Sequence, residues 1–254
     1  MRHFHVILSH EIRMLAVGAG TYVAAVLFLA LMGFVFSGPL LESYTKSPQE
    51  VPPAVMFFNA FWLPVLFMVP LLTMRCLSEE RRRGTMETLL TAPVGTAEVV
   101  LGKYCAAYLL YLLLWTATGA FFLVLKLFAG GAWPSDPAPL LGGYLFIAAS
   151  GLFFVALGIL ASALSRNQAV AGVLAFVLLF ALIFGLRFAA SADLPNTGAA
   201  RLLRESLGQA SLFRHLEDFS AGIVDTRHLL YYASGAVFSL VLAVLSLEAK
   251  LLHS

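Results

Sequence analysis

Six stretches without a single Asp, Glu, Lys or Arg dominate this chain: residues 14–41, 51–74, 104–125, 137–165, 167–186 and 228–247. Each is long enough to cross a bilayer, since a helix of ~20 apolar residues spans the ~30 Å hydrocarbon core. A soluble core built from 254 residues cannot bury six such segments, because the helices of globular proteins carry polar residues every third or fourth position. Barrel strands are excluded as well: they alternate over ~10 residues, and these runs do not. The expected fold is an all-α polytopic membrane protein with six transmembrane helices, at about 15–36, 54–75, 104–127, 140–164, 168–187 and 228–248, in one domain covering 1–254. The first run is read as a retained span, because it exceeds the apolar region of a signal peptide and continues through Gly33 to Phe36.

The segments outside the spans carry the remaining signals. Residues 1–14 read as an interfacial helix, with Phe4, Leu8, Ile12 and Leu15 as its apolar stripe. His3 and His5 lie two apart, do not share a helix face, and do not make a metal site. Two cysteines, Cys76 and Cys105, imply no disulfide framework. A net charge of +2 gives no reason to expect nucleic acid. With the amino terminus in the cytoplasm, nine of the sixteen basic residues fall inside, and five of the other seven lie in one long outer segment, 187–227. Both termini are then cytoplasmic. In the outer segment Leu212, Phe213, Leu216, Phe219 and Ile223 recur at helical spacing behind Ser211, an expected N-cap, and Asp225 is placed to cap the last span. Such a helix either lies on the headgroups or dips back to close an exit path.

Some chemistry is absent from the runs. Carriers driven by protons or sodium use ionisable groups within their spans, and an intramembrane hydrolase needs a base beside its nucleophile. The six runs hold no Asp, Glu, Lys or Arg, His228 only begins the sixth, and Ser150 and Ser162 have no evident catalytic partner. Gly95 to Lys103 has the wrong spacing for a phosphate-binding loop, and Tyr104 stands where Ser or Thr would hold magnesium. No cofactor is expected on this chain, and active transport would draw its energy from another subunit.

Charge is instead gathered in one place. Of the sixteen basic and fourteen acidic residues, eight fall between Ser78 and Lys103. Here the second span is expected to protrude as far as Arg83, where Gly84 permits a helix-ending turn. Thr85 then caps a short helix with Glu87 in its first turn and Met86, Leu89 and Leu90 on one face, and Pro93 stops it. Thr96 is expected to cap the third span. So short a helix is unstable alone, so its apolar face calls for a partner surface. Glu79, Glu80, Arg82 and Gly84 would set the geometry of the loop, with the carboxylates paired across neighbouring helix ends. On the fourth span Gly151, Gly158, Ser162 and Ser165 form a small-residue face for close packing, and Pro64 and Pro70 are placed to kink the second.

The sequence from Glu79 to Leu90, followed by Pro93 and Gly102-Lys103, resembles the first cytoplasmic loop of ABC type-2 exporter permeases. "HEIRMLAVGAGTYV" from His10 is similar to that family's amino-terminal connecting helix, and "SRNQAVAG" from Ser165 to its second inner loop. "FRHLEDFSAGIVDTRHLLYY" from Phe213 resembles the gliding-motility and nitrous-oxide-reductase-maturation branch. The resemblance implies a permease in a bacterial inner membrane, pairing with a second copy or a paralogue above two ABC ATPase subunits that bind ATP and magnesium. Thr85, Met86, Glu87, Leu89, Leu90 and Pro93 would be its coupling helix, with Arg166, Asn167 and Gln168 at a second ATPase contact. Leu202, Phe213, Leu216, Phe219 and Ile223 would belong to its outer gate. Membrane lipids and an accessory protein are further expected partners. The alternatives are a membrane-embedded enzyme acting on lipid or peptide, a secondary carrier, and a non-transporting anchor.

Overall fold

The computed structural model describes residues 2–40, 52–83, 95–128, 137–185, 187–188 and 211–251, and these are helical with no strand among them. The helices are α1 (Arg2–Val17), α2 (Ala19–Val35), α3 (Pro53–Asn59), α4 (Trp62–Thr73), α5 (Ser78–Arg83), α6 (Thr96–Ala117), α7 (Gly119–Phe128), α8 (Ala138–Leu164), α9 (Gln168–Phe180), α10 (Leu212–Ser220) and α11 (Thr226–Leu251). Single π-helical turns extend α2 over Phe36–Leu40 and α9 over Ala181–Gly185.

Six helical stretches are long and apolar enough to cross a membrane: Ala19–Gly38, Trp62–Arg82, Thr96–Leu127, Ala138–Leu164, Gln168–Gly185 and Thr226–Ala249. The first begins after Gly18, which breaks the chain from α1 with extended backbone. The expected second span is divided at Ala60 and Phe61, so that α3 is a separate short helix packed on α8 and α10. Pro64 occupies the third position of α4, where a missing N–H costs nothing, whereas Pro70 lies inside the helix and removes a ladder bond. One turn beyond Pro70 the α-helix gives way over residues 74–77 before α5 resumes.

α8 is the central element, packed against α3, α4, α6, α9, α10 and α11. Around it Phe57, Phe58, Phe61, Trp115, Phe146 and Phe154 are fully buried, with Phe61 and Phe146 edge to face at 5.0 Å. Its small residues make this approach possible. A Cβ added at Gly151 would collide with the Tyr111 ring, and one at Gly158 with Thr73. Gly158→Ala is therefore expected to destabilise the chain by about 1–3 kcal/mol, the usual result of overpacking, seen as a lower thermal midpoint in detergent. A second lock is a tyrosine ladder on α6. Tyr104, Tyr108 and Tyr111 donate to the carbonyls of Leu152, Ala148 and Ile147 on α8, at 3.1, 2.8 and 3.4 Å. Each hydroxyl thus finds an acceptor in surroundings without water.

The outward faces are apolar, as a hydrocarbon solvent demands: Val23 and Val26 on α2, Val173 and Val177 on α9, and Val237, Phe238 and Val241 on α11 are all exposed. α1 lies against α6, with Ile7 over Gly102. Its packed face is rotated from the expected stripe: Leu8 and Leu15 are half-buried with Glu11, while Ile12 is 40% exposed.

Candidate functional site

Polar groups assemble at the two ends of α8, around Ser162 and around Gly142, twenty residues and so ~30 Å apart along the helix. The first assembly begins with Lys103. Seven residues into α6 it is 3% exposed, and its ammonium reaches Glu11 on α1 and Glu80 on α5, each at 2.7 Å. Glu80 and Lys103 flank the charged segment on its outgoing and returning sides, and Glu11 joins both to the amino-terminal helix.

A second connection ties the same segment to α8. Where the backbone between α4 and α5 leaves the helical ladder, Ser162 Oγ accepts from Leu77 N at 3.0 Å and Ser78 N at 3.1 Å. Its own hydroxyl donates to Met74 O at 3.3 Å, and Ser78 Oγ donates to the same carbonyl. Arg81 Nη1 donates to Ala163 O, one of the last carbonyls of α8, where a cation also suits the helix dipole. Ser162 was expected to provide close packing; it also satisfies two amides that the helix break would otherwise orphan.

The other expected residues fall in or near this region. Glu79 is half-buried, and Arg82 is exposed. Arg166 and Asn167 are exposed in the turn from α8 to α9, and Asn167 caps α9 by accepting from Ala169 N at 2.9 Å. Gln168 opens α9 and is half-buried. α5 packs on both α8 and α9, so this turn adjoins the charged arm. Gly84, Thr85, Met86, Glu87, Leu89, Leu90 and Pro93 lie outside the described residues, as does Leu202. Gly95, not Thr96, is the N-cap of α6, with extended backbone and no side-chain bond, and Glu98 stands in the first turn.

The second assembly centres on α10. Leu212, Leu216 and Phe219 are buried, and Phe213 is wedged among Phe61, Phe184 and the Arg187 guanidinium, which lies 4.7 Å over its ring. Ser211 is the N-cap by position but makes no capping side-chain bond. Ile223 is not on the helix. Gly222, with φ +79°, ends it in a Schellman turn, where Gly222 N bonds Phe219 O and Ile223 N bonds Asp218 O, leaving Ile223 60% exposed. Asp225 then caps α11 by accepting from Arg227 N at 2.9 Å. α10 sits so close to α8 that a Cβ on Gly142 would strike the backbone of Phe219 and Ser220.

Sequence reasoning missed one cluster here. His215 is 2% exposed, shares a 2.8 Å hydrogen bond with Tyr232 Oη, and lies against His228 with ring centroids 3.9 Å apart and the rings tilted by 32°. His228 in turn meets Asp218 at 3.1 Å. The partners lie up to seventeen residues apart across the Schellman turn, and the available signal was polar residues at helical spacing, His215 with Asp218 and His228 with Tyr232. Tyr232→Phe is expected to cost about 1 kcal/mol by deleting one buried hydrogen bond, measured as a small fall in thermal midpoint.

A family model described as ABC-2 family transporter protein matches residues 41–205. The chain belongs to the ABC-2 transporter family. The matched stretch takes in α3 to α9 and the charged segment between α5 and α6. This ABC-2 protein is thus a multi-pass membrane component of a transporter, the part that crosses the bilayer and not a catalytic subunit, and its family implies an ABC ATPase partner in general. α1, α2, α10 and α11 lie outside the matched stretch, and so does the Phe213–Tyr232 segment. No curated protein matches the chain.

Proposed function

We propose that this chain is the permease subunit of an ATP-driven exporter in a bacterial inner membrane, acting with a second permease subunit and with separate ATPase subunits that carry ATP and magnesium. The charged segment would be cytoplasmic, with residues 85–93 as the coupling helix seated on the ATPase and Arg166, Asn167 and Gln168 as a second contact beside it. The observation that carries this reading is the double attachment of the segment's base: Glu80 and Lys103 share one ion cluster with Glu11, and Ser162 holds the amides of Leu77 and Ser78. Ties on both arms would pass a displacement of the segment to α1, α6 and α8.

In this mechanism, closure of the ATPase pushes the coupling helix. The push passes through Glu80 and Lys103 to α1 and α6, and through Ser162 and Arg81 to α8. α8 carries α10 at its other end, where Phe213, Leu216 and Phe219 would form part of the outer gate. Similarity over Phe213–Tyr232 favours the gliding-motility and nitrous-oxide-reductase-maturation branch. Apolar and aromatic spans suit a hydrophobic or lipid-linked cargo. The test is affinity purification of the chain from its native membrane in mild detergent. A soluble ATPase in about equal amount, hydrolysing ATP in the eluate, is the expected result. A chain recovered without any ATPase would favour the anchor or membrane-enzyme readings.

A further inference from the structure

A cavity of about 380 Å³ lies among α1, the start of α2, the α4–α5 arm and Lys103. Its volume is within the range of small-molecule sites, roughly 300–1,000 Å³. Met14, Leu15, Leu71 and Leu72 give it an apolar wall, and much of the remaining lining is charged. Met14 and Val17 are 58% and 75% exposed, and they carry the apolar surface outward from that wall. The first span begins at Ala19 and the charge-free run of the second ends at Met74, so the cavity meets the border between hydrocarbon and headgroups.

The two cations of the lining differ in what they already hold. Lys103 is bound by Glu11 and Glu80, each at 2.7 Å. Arg75 stands outside that cluster, in the break between α4 and α5. It is exposed and makes no ion pair among the described residues. Its guanidinium lies 3.4 Å from where a Cβ of Gly20 would be, so α2 presents no side chain to cover it. A guanidinium stays charged and offers a planar fork of N–H donors that matches two oxygens of a phosphate. What draws an anion here is this one unpaired cation, acting at contact distance.

We propose that this cavity holds the phosphodiester of a membrane phospholipid, with the phosphate on the Arg75 guanidinium and the acyl chains running out along Met14 and Val17. The two halves of such a ligand answer the two parts of the site. A free phosphate would leave the apolar wall unused, and a neutral lipid would leave Arg75 without a partner. The phosphate and the chains are what is recognised, whatever substituent the phosphate carries. Bound there, the lipid would lie between α1, α2 and the base of the charged arm. The site does not depend on the exporter reading.

The test uses the full chain in neutral detergent micelles that carry equal parts of phosphatidylglycerol and diacylglycerol with identical chains, and bound lipid is counted by native mass spectrometry. One phosphatidylglycerol per chain, retained about tenfold over diacylglycerol, is expected. An excess of inorganic phosphate should not displace it. Arg75→Gln should abolish the preference, and so should Gly20→Leu, which sets a side chain over the guanidinium. Leu113→Ala, on the lipid-facing side of α6, should leave it intact. Thermal midpoints measured alongside identify the folded variants. Equal retention of the two lipids, displacement by inorganic phosphate, an unchanged preference in a folded Arg75 or Gly20 variant, or an equal loss in Leu113→Ala would overturn the assignment.

Discussion

Lys103→Met is expected to destabilise the protein by about 3–5 kcal/mol, because it takes from Glu11 and Glu80, both partly buried, the ammonium that they share. Lys103 does not owe its position to the net strength of the ion pairs. Desolvating an ammonium and two carboxylates costs several kcal/mol per ion, and the attraction at 2.7 Å roughly repays it. Removing one partner is what does the damage. A triple variant, Glu11→Gln with Lys103→Met and Glu80→Gln, should therefore recover most of the lost stability while lacking every charge of the cluster. Thermal unfolding of the single and triple variants in one detergent checks this. Equal loss in both would mean that the packing of the lysine stem, and not the stranded carboxylates, sets the cost.

The second large effect is expected at Ser162. With Ser162→Ala the amides of Leu77 and Ser78 lose their acceptor in a buried position, and each orphaned amide costs about 1–3 kcal/mol. The damage should be local. Hydrogen exchange should quicken at Leu77 and Ser78 and change little at Val65 to Val69 on α4, since the break between α4 and α5 is the part that Ser162 holds. Exchange that rises alike throughout α4 would show that Ser162 contributes to general packing, as its place on a small-residue face first suggests.

The spans were legible because hydrocarbon imposes a coarse rule, about twenty residues without charge, and six runs obey it. Breaks inside the spans were harder to read. The interruption at Ala60 and Phe61 lies one turn before Pro64, which has no N–H for the Ala60 carbonyl, and the one at 74–77 follows Pro70 by a full turn, so the prolines marked the kinks without giving their exact places. The tie that satisfies the second break comes from Ser162, more than eighty residues away, and no local pattern could announce it. The charged arm showed the same division. Its composition marked it as a special segment, but the partner of Glu80 proved to be Lys103 on the next span, with Glu11 completing the cluster from the far end of the sequence. At the outer assembly the apolar stripe gave Leu212, Leu216 and Phe219 correctly as packing residues, and it overran at Ile223 because Gly222 ends the helix first.

The most direct measurement of the permease reading is the amount of ATPase retained on the purified chain when Leu90 becomes Arg and, separately, when Glu87 becomes Arg. Both positions would face the ATPase from the coupling helix, where a buried or reversed charge should lower retention about tenfold or more while the thermal midpoint of the permease is unchanged. Full retention of ATPase, with normal nucleotide-driven transport, in both variants would contradict a coupling helix at 85–93 and would move the search for the ATPase contact to Arg166, Asn167 and Gln168.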